Sequence, residues 1–407
     1  VEDTWFNLLE LFKLELASNQ KLLSSIIGTD TIIGLKTIIN RSLSSGTPAK
    51  FAWIKKIGHY IIDSIWIKVD DQLVDKHYGE WMEVWHQLTK RIKKEEGYNK
   101  LIGNVPELID YNNRKKDEYE LLIPLNFWFC RNIGIALPII ALHNADLRIY
   151  VKLREFNDVC YYETNTQFRK KPRLKCGLLA EYIYVEDEER NKLATSKLEY
   201  LIDVLQFNGE TQINKNSINE ETGEIEATTR FKNPCKEIFW MLQDLNYING
   251  RYINGEKRWD FYGYQDSYLR LPNNIADSQN MIINPASVAK ITFNMREREI
   301  FKDIIFYNGI QPYERHYSTP SIGINIYSYS LEPESIQPTG AANMSRIDDA
   351  GVSIKLDPIV LNKLTSGVVD PAFIAEFGQD KTSKIFSEIS AFPSLSFRWP
   401  IYALTQN

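Results

Sequence analysis

Apolar and polar residues alternate with a period of two along much of the chain. The clearest case is Asp146–Arg154. There Leu147, Ile149, Val151 and Leu153 fall on one face, and Arg148, Tyr150, Lys152 and Arg154 on the other. That spacing predicts a strand packed on one side only. Ile61–Val69 is dense in Ile, Trp and Val and runs into a turn-like Asp70-Asp71 pair. Leu121–Phe129 is an apolar run bounded by charge, and further strands are predicted at Leu178–Val185, Tyr200–Phe207, Glu237–Leu242, Tyr268–Leu271, Ala289–Met295 and Gly323–Leu331. Asn308-Gly309 and Thr339-Gly340 read as turns between them.

Helical spacing is confined to a few places. Residues 1–27 place Trp5, Leu8, Leu9, Phe12, Leu16, Leu23 and Ile27 at helix-like intervals. Glu80–Leu88 predicts a short helix, as does Asp187–Lys197, which lies near mid-chain and is the candidate connector between two domains. Two stretches read as long polar loops, one running from about residue 90 to Lys116 and one spanning Asn208–Thr229. Many short strands with few helices favour β-sandwiches over a parallel α/β sheet. No short-period repeat is visible, so a duplication would be one of architecture. The resulting division is 1–50 as a helical, divergent segment, 51–190 as a first β domain and 191–407 as a second.

Composition narrows the function. The chain has 407 residues, 43% of them hydrophobic, which suits a large buried core, and a formal net charge of -5. That charge argues against a general nucleic-acid binder. Cys130, Cys160, Cys176 and Cys235 are too scattered for a disulfide framework and include no CxxC pair, so they read as free thiols of a reducing compartment. The longest apolar stretch, near Ile135–Leu142, is far short of the roughly 18–20 residues a membrane helix needs. No signal-peptide pattern is seen. The chain opens on Val1 rather than Met, which suggests that a leading segment was removed or lies outside it.

Catalytic motifs are absent. Neither glycine-rich nucleotide loop, nor GxSxG, nor HExxH occurs. The five histidines are His59, His77, His86, His143 and His316. His77, Glu80, Glu83 and His86 recur every three residues and would share a helix face as metal ligands. The simpler reading is a partly exposed helix with Trp81 and Trp85 packed inward, because no second Glu-x-x-His exists to complete a di-metal site. Arg169–Lys175 is the purest basic cluster and reads as a charged loop. The aromatic residues interleave with Ile, Leu and Val around Trp66 and Trp128, which favours core over carbohydrate stacking. No metal or cofactor is implied.

One block is distinctive. Ile123-Pro124-Leu125-Asn126-Phe127-Trp128-Phe129-Cys130-Arg131-Asn132, followed by Ala136–Leu142, resembles the major capsid proteins of the nucleocytoplasmic large DNA viruses. Supporting blocks follow the same order: Phe51–Ile54 with Gly58-His59, Asp75–Trp81, and Glu181–Ile183 with Asp187–Arg190. In the second half, Tyr327–Glu334 leads to Gln337-Pro338-Thr339-Gly340 and then to Asn343-Met344-Ser345-Arg346-Ile347-Asp348.

The resemblance implies an all-β chain of two consecutive eight-stranded jelly rolls. It implies homotrimeric, pseudo-hexagonal capsomers tiling an icosahedral shell over an internal membrane. Neighbouring capsomers and minor capsid and penton proteins would be partners, assembly would occur in host cytoplasm, and no direct nucleic-acid contact is implied. The long loops near 90–118 and 208–230 become candidates for trimer contacts or an outer tower. The structural motif residues carried over are Pro124, Leu125, Asn126, Phe127, Trp128, Phe129, Gln337, Pro338, Gly340, Ser345, Arg346 and Asp348. Asn126 is expected to satisfy backbone groups at a sheet bend, with Phe127 and Phe129 packed inside. Two departures stand out: the family's opening strands give way to a helical pattern, and the sequence stops within a strand at Pro400–Asn407. Other functions weighed are a transient membrane-shaping scaffold of the same fold, a cupin-like or carbohydrate-active jelly-roll enzyme, which would need clustered histidines, and a glycan-binding surface protein.

Overall fold

The computed structural model describes residues 9–13, 26–28, 34–40, 50–142, 144–162, 173–245, 251–253, 256–258, 284–320, 323–358, 360–361, 364 and 396–407. The chain forms two compact units. The first comprises Val1–His86, Arg91–Leu205 and Gln406–Asn407, and the second Gln87–Lys90 and Gln206–Thr405.

In the first unit the main strands are β1 (Leu9–Lys13), β2 (Gly34–Asn40), β3 (Ile62–Val69), β4 (Gln72–Tyr78), β5 (Tyr119–Pro124), β6 (Leu147–Leu153) and β7 (Arg173–Leu179). They form a four-stranded sheet in the order β1-β6-β3-β4 and a three-stranded sheet in the order β7-β2-β5. Helix α1 (Gly79–Thr89) follows β4 directly, and helix α2 (Asp187–Thr195) follows a short strand at Tyr182–Tyr184. The alternation along β6 does what its spacing predicts: Leu147, Ile149, Val151 and Leu153 are buried while Arg148, Tyr150 and Lys152 are not. Ile65 and Ile67 of β3, Leu121 and Ile123 of β5, and Phe127 and Phe129 join them in the core. Each such side chain contributes about 1.5–3 kcal/mol by leaving water.

The second unit adds β8 (Asp203–Ile213), β9 (Ile225–Thr229), β10 (Pro234–Trp240), β11 (Ala286–Phe293), β12 (Arg296–Asp303), β13 (Asn325–Ser328), β14 (Ala350–Leu356) and β15 (Phe397–Gln406). Its sheets run β9-β14-β11-β12 and β8-β15-β10-β13, with two short strands pairing off the second path. Trp240, Trp399, Ile291, Ile354, Ile401 and Tyr307 lie in its core.

The two units repeat one topology. Raising each label of the first unit by eight gives its counterpart in the second, so β1-β6-β3-β4 becomes β9-β14-β11-β12 and β7-β2-β5 becomes β15-β10-β13. Only β8, beside β15, lacks a counterpart among the described residues. A helical segment follows β4 (α1) and β12 (Phe306–Arg315) alike. The duplication is therefore architectural, in sheets whose recorded registers are antiparallel.

Several expectations are corrected. Where the N-terminal pattern predicts a helix, Leu9–Lys13 pairs with β6 and Gly34–Asn40 lies between β5 and β7. Short apolar runs do not separate strand from helix by spacing alone, and sheet partners decide. The predicted loop Asn208–Thr229 contains most of β8 and all of β9. In β9, Ile225, Ala227 and Thr229 are buried and Glu226 and Thr228 exposed, so its two outward residues look loop-like in sequence. Asn308-Gly309 lies inside a helical turn, Phe306–Ile310, rather than in a β-turn. Leu178–Val185 is two strand segments, not one. Tyr268–Leu271, His143 and Arg169–Pro172 lie outside the described residues.

Candidate functional site

The motif residues sit where strands hand over to loops. After β5, Leu125, Phe127, Trp128 and Phe129 are buried, while Pro124 and Asn126 are half-buried. Phe127 stacks on Phe129 at 5.4 Å, and Trp128 meets Phe129 edge-on at 4.9 Å. The bend at Asn126 is held through its main chain. Its carbonyl accepts a hydrogen bond from Arg131 Nε at 3.0 Å. The Arg131 guanidinium also lies 4.2 Å over the Trp85 ring and 3.5 Å from Asp203. No hydrogen bond from the Asn126 side chain is found among the described residues, so the carbonyl, not the amide, is the polar group at this bend. Phe127 in turn stacks on His77 at 4.5 Å, and His77 Nε2 lies 3.0 Å from Asp75. Two blocks distant in sequence, Asp75–Trp81 and Pro124–Phe129, thus meet.

In the second unit the block after β13 is fastened by charge. Lys236 and Glu237, neighbours on β10, are both buried. Lys236 Nζ donates to the carbonyls of Ser335 (2.8 Å) and Pro333 (3.2 Å). Glu237 accepts from His316 Nε2, and Glu334 accepts from His316 Nδ1, both at 2.9 Å. An imidazole can donate from both nitrogens only when protonated. Burial pushes His316 down, but the charges and hydrogen bonds of Glu237 and Glu334 outweigh it and hold its pKa up at about 9. Thr339 Oγ1 ties the loop back on itself, accepting from the Glu332 amide at 2.8 Å. Gly340 has φ +139°, and a Cβ there would stand 2.7 Å from the Tyr329 carbonyl oxygen, so only glycine fits. Gln337 and Pro338 are exposed.

The Ser345–Asp348 stretch closes against a hairpin. Asn294 and Met295, between β11 and β12, both have positive φ (49° and 61°), the pattern of a tight two-residue turn. Asn294 Oδ1 accepts from the amides of Asp348 (3.0 Å) and Asp349 (3.1 Å), while its own amide donates to the Asp349 carbonyl at 2.7 Å. Ser345 Oγ accepts from the Asn233 amide at 2.8 Å, and Arg346 is exposed. The first unit repeats this clamp. Asp70 and Asp71 have φ 49° and 66°. Asp70 Oδ1 accepts from the Asp146 amide at 2.8 Å, and its own amide donates to the Asp146 carbonyl at 3.1 Å. In both units the clamp seizes the residue just before β6 or β14.

The four candidate metal ligands do not converge. His77 lies on β4 against Asp75 and Phe127; Glu80 meets Arg154 at 3.0 Å; Glu83 accepts from Lys56 and lies 2.8 Å from His59 Nδ1; His86 stacks on Tyr98 at 3.8 Å. Burial raises the Glu83 pKa, but Lys56 and His59 together carry it down to about 2. Helix α1 is also more buried than predicted. Trp81 and Trp85 pack inward as expected, but Glu80, Glu83 and Gln87 are buried too. Among the described residues no group of three or more His, Cys, Asp or Glu side chains could hold a metal ion. What these polar groups do chemically is fasten loops to sheets. Asn294, Lys236, Glu237 and His316 were not singled out as loop fasteners from sequence. The turn composition around Asn294 could have revealed it; the contacts of His316 leave no local signature.

Comparison with known proteins agrees with this geometry. Residues 30–185 match the family model "Major capsid protein N-terminus", and residues 189–388 match "Large eukaryotic DNA virus major capsid protein". Together they cover most of the chain. Probable capsid protein 4 of Acanthamoeba polyphaga mimivirus is 28% identical, with 75% of each chain covered. The major capsid protein of Phaeocystis pouchetii virus is 27% identical, with 78% of each covered. Among solved structures, the PBCV-1 virus capsid matches with a TM-score of 0.70 at 18% identity, covering 100% of this chain and 91% of that one. The Faustovirus major capsid protein gives 0.66 at 10% identity, covering 99% and 87%. The chain belongs to the major capsid proteins of the nucleocytoplasmic large DNA viruses, a structural rather than enzymatic family built on the double jelly roll.

Proposed function

We propose that three copies of this chain associate into one capsomer of pseudo-hexagonal outline, and that such capsomers tile an icosahedral shell. The observation that supports this most is the repeated strand order. One chain carries two sandwiches of the same topology. A three-fold assembly then presents six similar sandwiches, which suits hexagonal tiling with a single type of subunit. Along the sequence, the boundary between the jelly rolls falls near α2, giving 51–190 and 191–407, with β1 and β2 extending the first. The Asn126 block, Pro124–Phe129, and the Arg346–Asp348 turn are the core determinants of this architecture, because they fasten the loops from which contacts are made. Neighbouring capsomers and minor capsid and penton proteins are the partners, an internal membrane lies close by, and assembly takes place in host cytoplasm. With a net charge of -5, direct nucleic-acid binding is not part of the role.

Size-exclusion chromatography with light scattering tests the proposal. The expected species is about three times the 47.4 kDa chain mass. A monomer at every accessible concentration overturns it. Particle fractionation separates a shell subunit from a transient scaffold, since only the former remains in mature virions.

A further inference from the structure

Two surface patches of the first unit are opposite in charge and alike in aromatic content; Trp66, Lys68, Lys76 and Tyr150 of the first are half-buried, and the tyrosines and carboxylates of the second are exposed. The first lies on the outward face of the β1-β6-β3-β4 sheet. Trp66 of β3 stands opposite Tyr150 of β6 and Lys76 of β4 in register. The Trp66 and Tyr150 rings stack at 5.3 Å, 5° from parallel. Lys76 Nζ lies 5.4 Å over Trp66, and Lys68 Nζ lies 5.6 Å over Tyr150. Leu73, the register partner of Lys68, is 56% exposed. Neither lysine has a carboxylate partner among the described residues.

The second patch runs from the Tyr182–Tyr184 strand into α2. Tyr182 and Tyr184 are 39% and 64% exposed. Glu186, Asp187, Glu188 and Glu189 follow, all exposed, and of these only Asp187 has a cationic partner among the described residues, Arg190 at 2.9 Å. Each patch has the anatomy of an interface: aromatic anchors beside a group of like charges, most of them without partners of their own among the described residues. Isolated exposed apolar residues are ordinary, but grouped aromatics beside unpaired like charges are not.

We infer that the Trp66–Tyr150 face of one copy docks on the Tyr182–Glu189 segment of a second copy. The inference rests on the self-assembly proposed above and names the surfaces through which it proceeds. Charge complementarity selects the occupant, since the same chain carries the acidic aromatic surface that the lysine-bearing face fits. Because the two patches differ, the contact is heterologous, and copies related by it close into a ring when the rotation permits. The lysines steer the approach and set the register, and the tyrosines and Trp66 supply buried area.

Charge exchange tests it with the full chain. One variant carries Lys68→Glu and Lys76→Glu. A second carries Glu186→Lys, Glu188→Lys and Glu189→Lys. A third combines all five substitutions. Melting by circular dichroism shows that each still folds, as substitutions of surface side chains should. Light scattering over a dilution series is the readout. Each partial variant is expected to raise the concentration of half-assembly by roughly tenfold or more, through like-charge repulsion, and the combined variant is expected to restore it. Assembly of the partial variants at the wild-type concentration overturns the inference while leaving self-assembly intact. So does failure of the combined variant to recover. A wild-type chain that stays monomeric overturns both readings.

Discussion

At the scale of single residues, short polar side chains hold long connections. Asn294 gathers two amides of the Asp348-Asp349 turn and occupies left-handed backbone that asparagine tolerates better than most residues. Asn294→Ala is expected to cost about 1–2 kcal/mol, measured as a lower midpoint in urea with an unchanged slope. Asp70→Ala should show a smaller loss of the same kind in the first unit, because Asp70 Oδ1 takes one such amide there. At the Pro124–Phe129 block the sensitive side chain is Arg131, not Asn126. Arg131→Ala should lower stability by about 1–3 kcal/mol, whereas Asn126→Ala should cost well under half of that, since the carbonyl contact survives. Equal losses for both would sink that assignment. The burial of Phe127 and Phe129 was legible from their place in an apolar run. The Arg131 contact was not, because a backbone acceptor carries no sequence identity.

At the scale of elements, the Tyr329–Gly340 loop depends on a protonated histidine. The ordinary histidine pKa is 6.5, and that of folded His316 is about 9. A raised folded value means the contribution is complete below about 6.5 and is lost as pH climbs through 9. It amounts to on the order of 3 kcal/mol. Thermal melts should therefore fall between pH 7 and pH 10, and His316→Gln should be less stable at neutral pH with a flatter profile. The Glu83 cluster acts at the other end of the scale. Its pKa drops from 4.5 to about 2, so its contribution is present above 4.5 and fades as pH falls toward 2. Glu83→Gln should flatten the acid limb and leave the alkaline limb unchanged. Strands with one buried face, such as β6, were readable because burial imposes the period. Strand β1 was misread because five residues fit either template and a distant partner decides. The end of β8, with Asn208, Gly209 and Glu210, looked like loop because those side chains face water or are absent.

At the scale of the molecule, a chain without a visible short-period repeat builds two sandwiches of one topology. Patterning sets strand faces, and many sequences satisfy the same pattern. All four cysteines are free, two of them buried, so adding a reductant should leave the melting temperature unmoved. A drop would reveal a covalent link. The placement of β15 carries a further consequence for synthesis. Residues 397–406 lie between β8 and β10, pairing, for example, Trp240 with Ile401. On the ribosome, β8 and β10 emerge long before the strand that belongs between them. Until it arrives, the nascent sheet has a gap at its centre, and the strand edges that will flank β15 are open to foreign strands. Such high contact order makes closure slow, so yield in a heterologous host should depend on chaperone supply more than on the stability of the finished molecule.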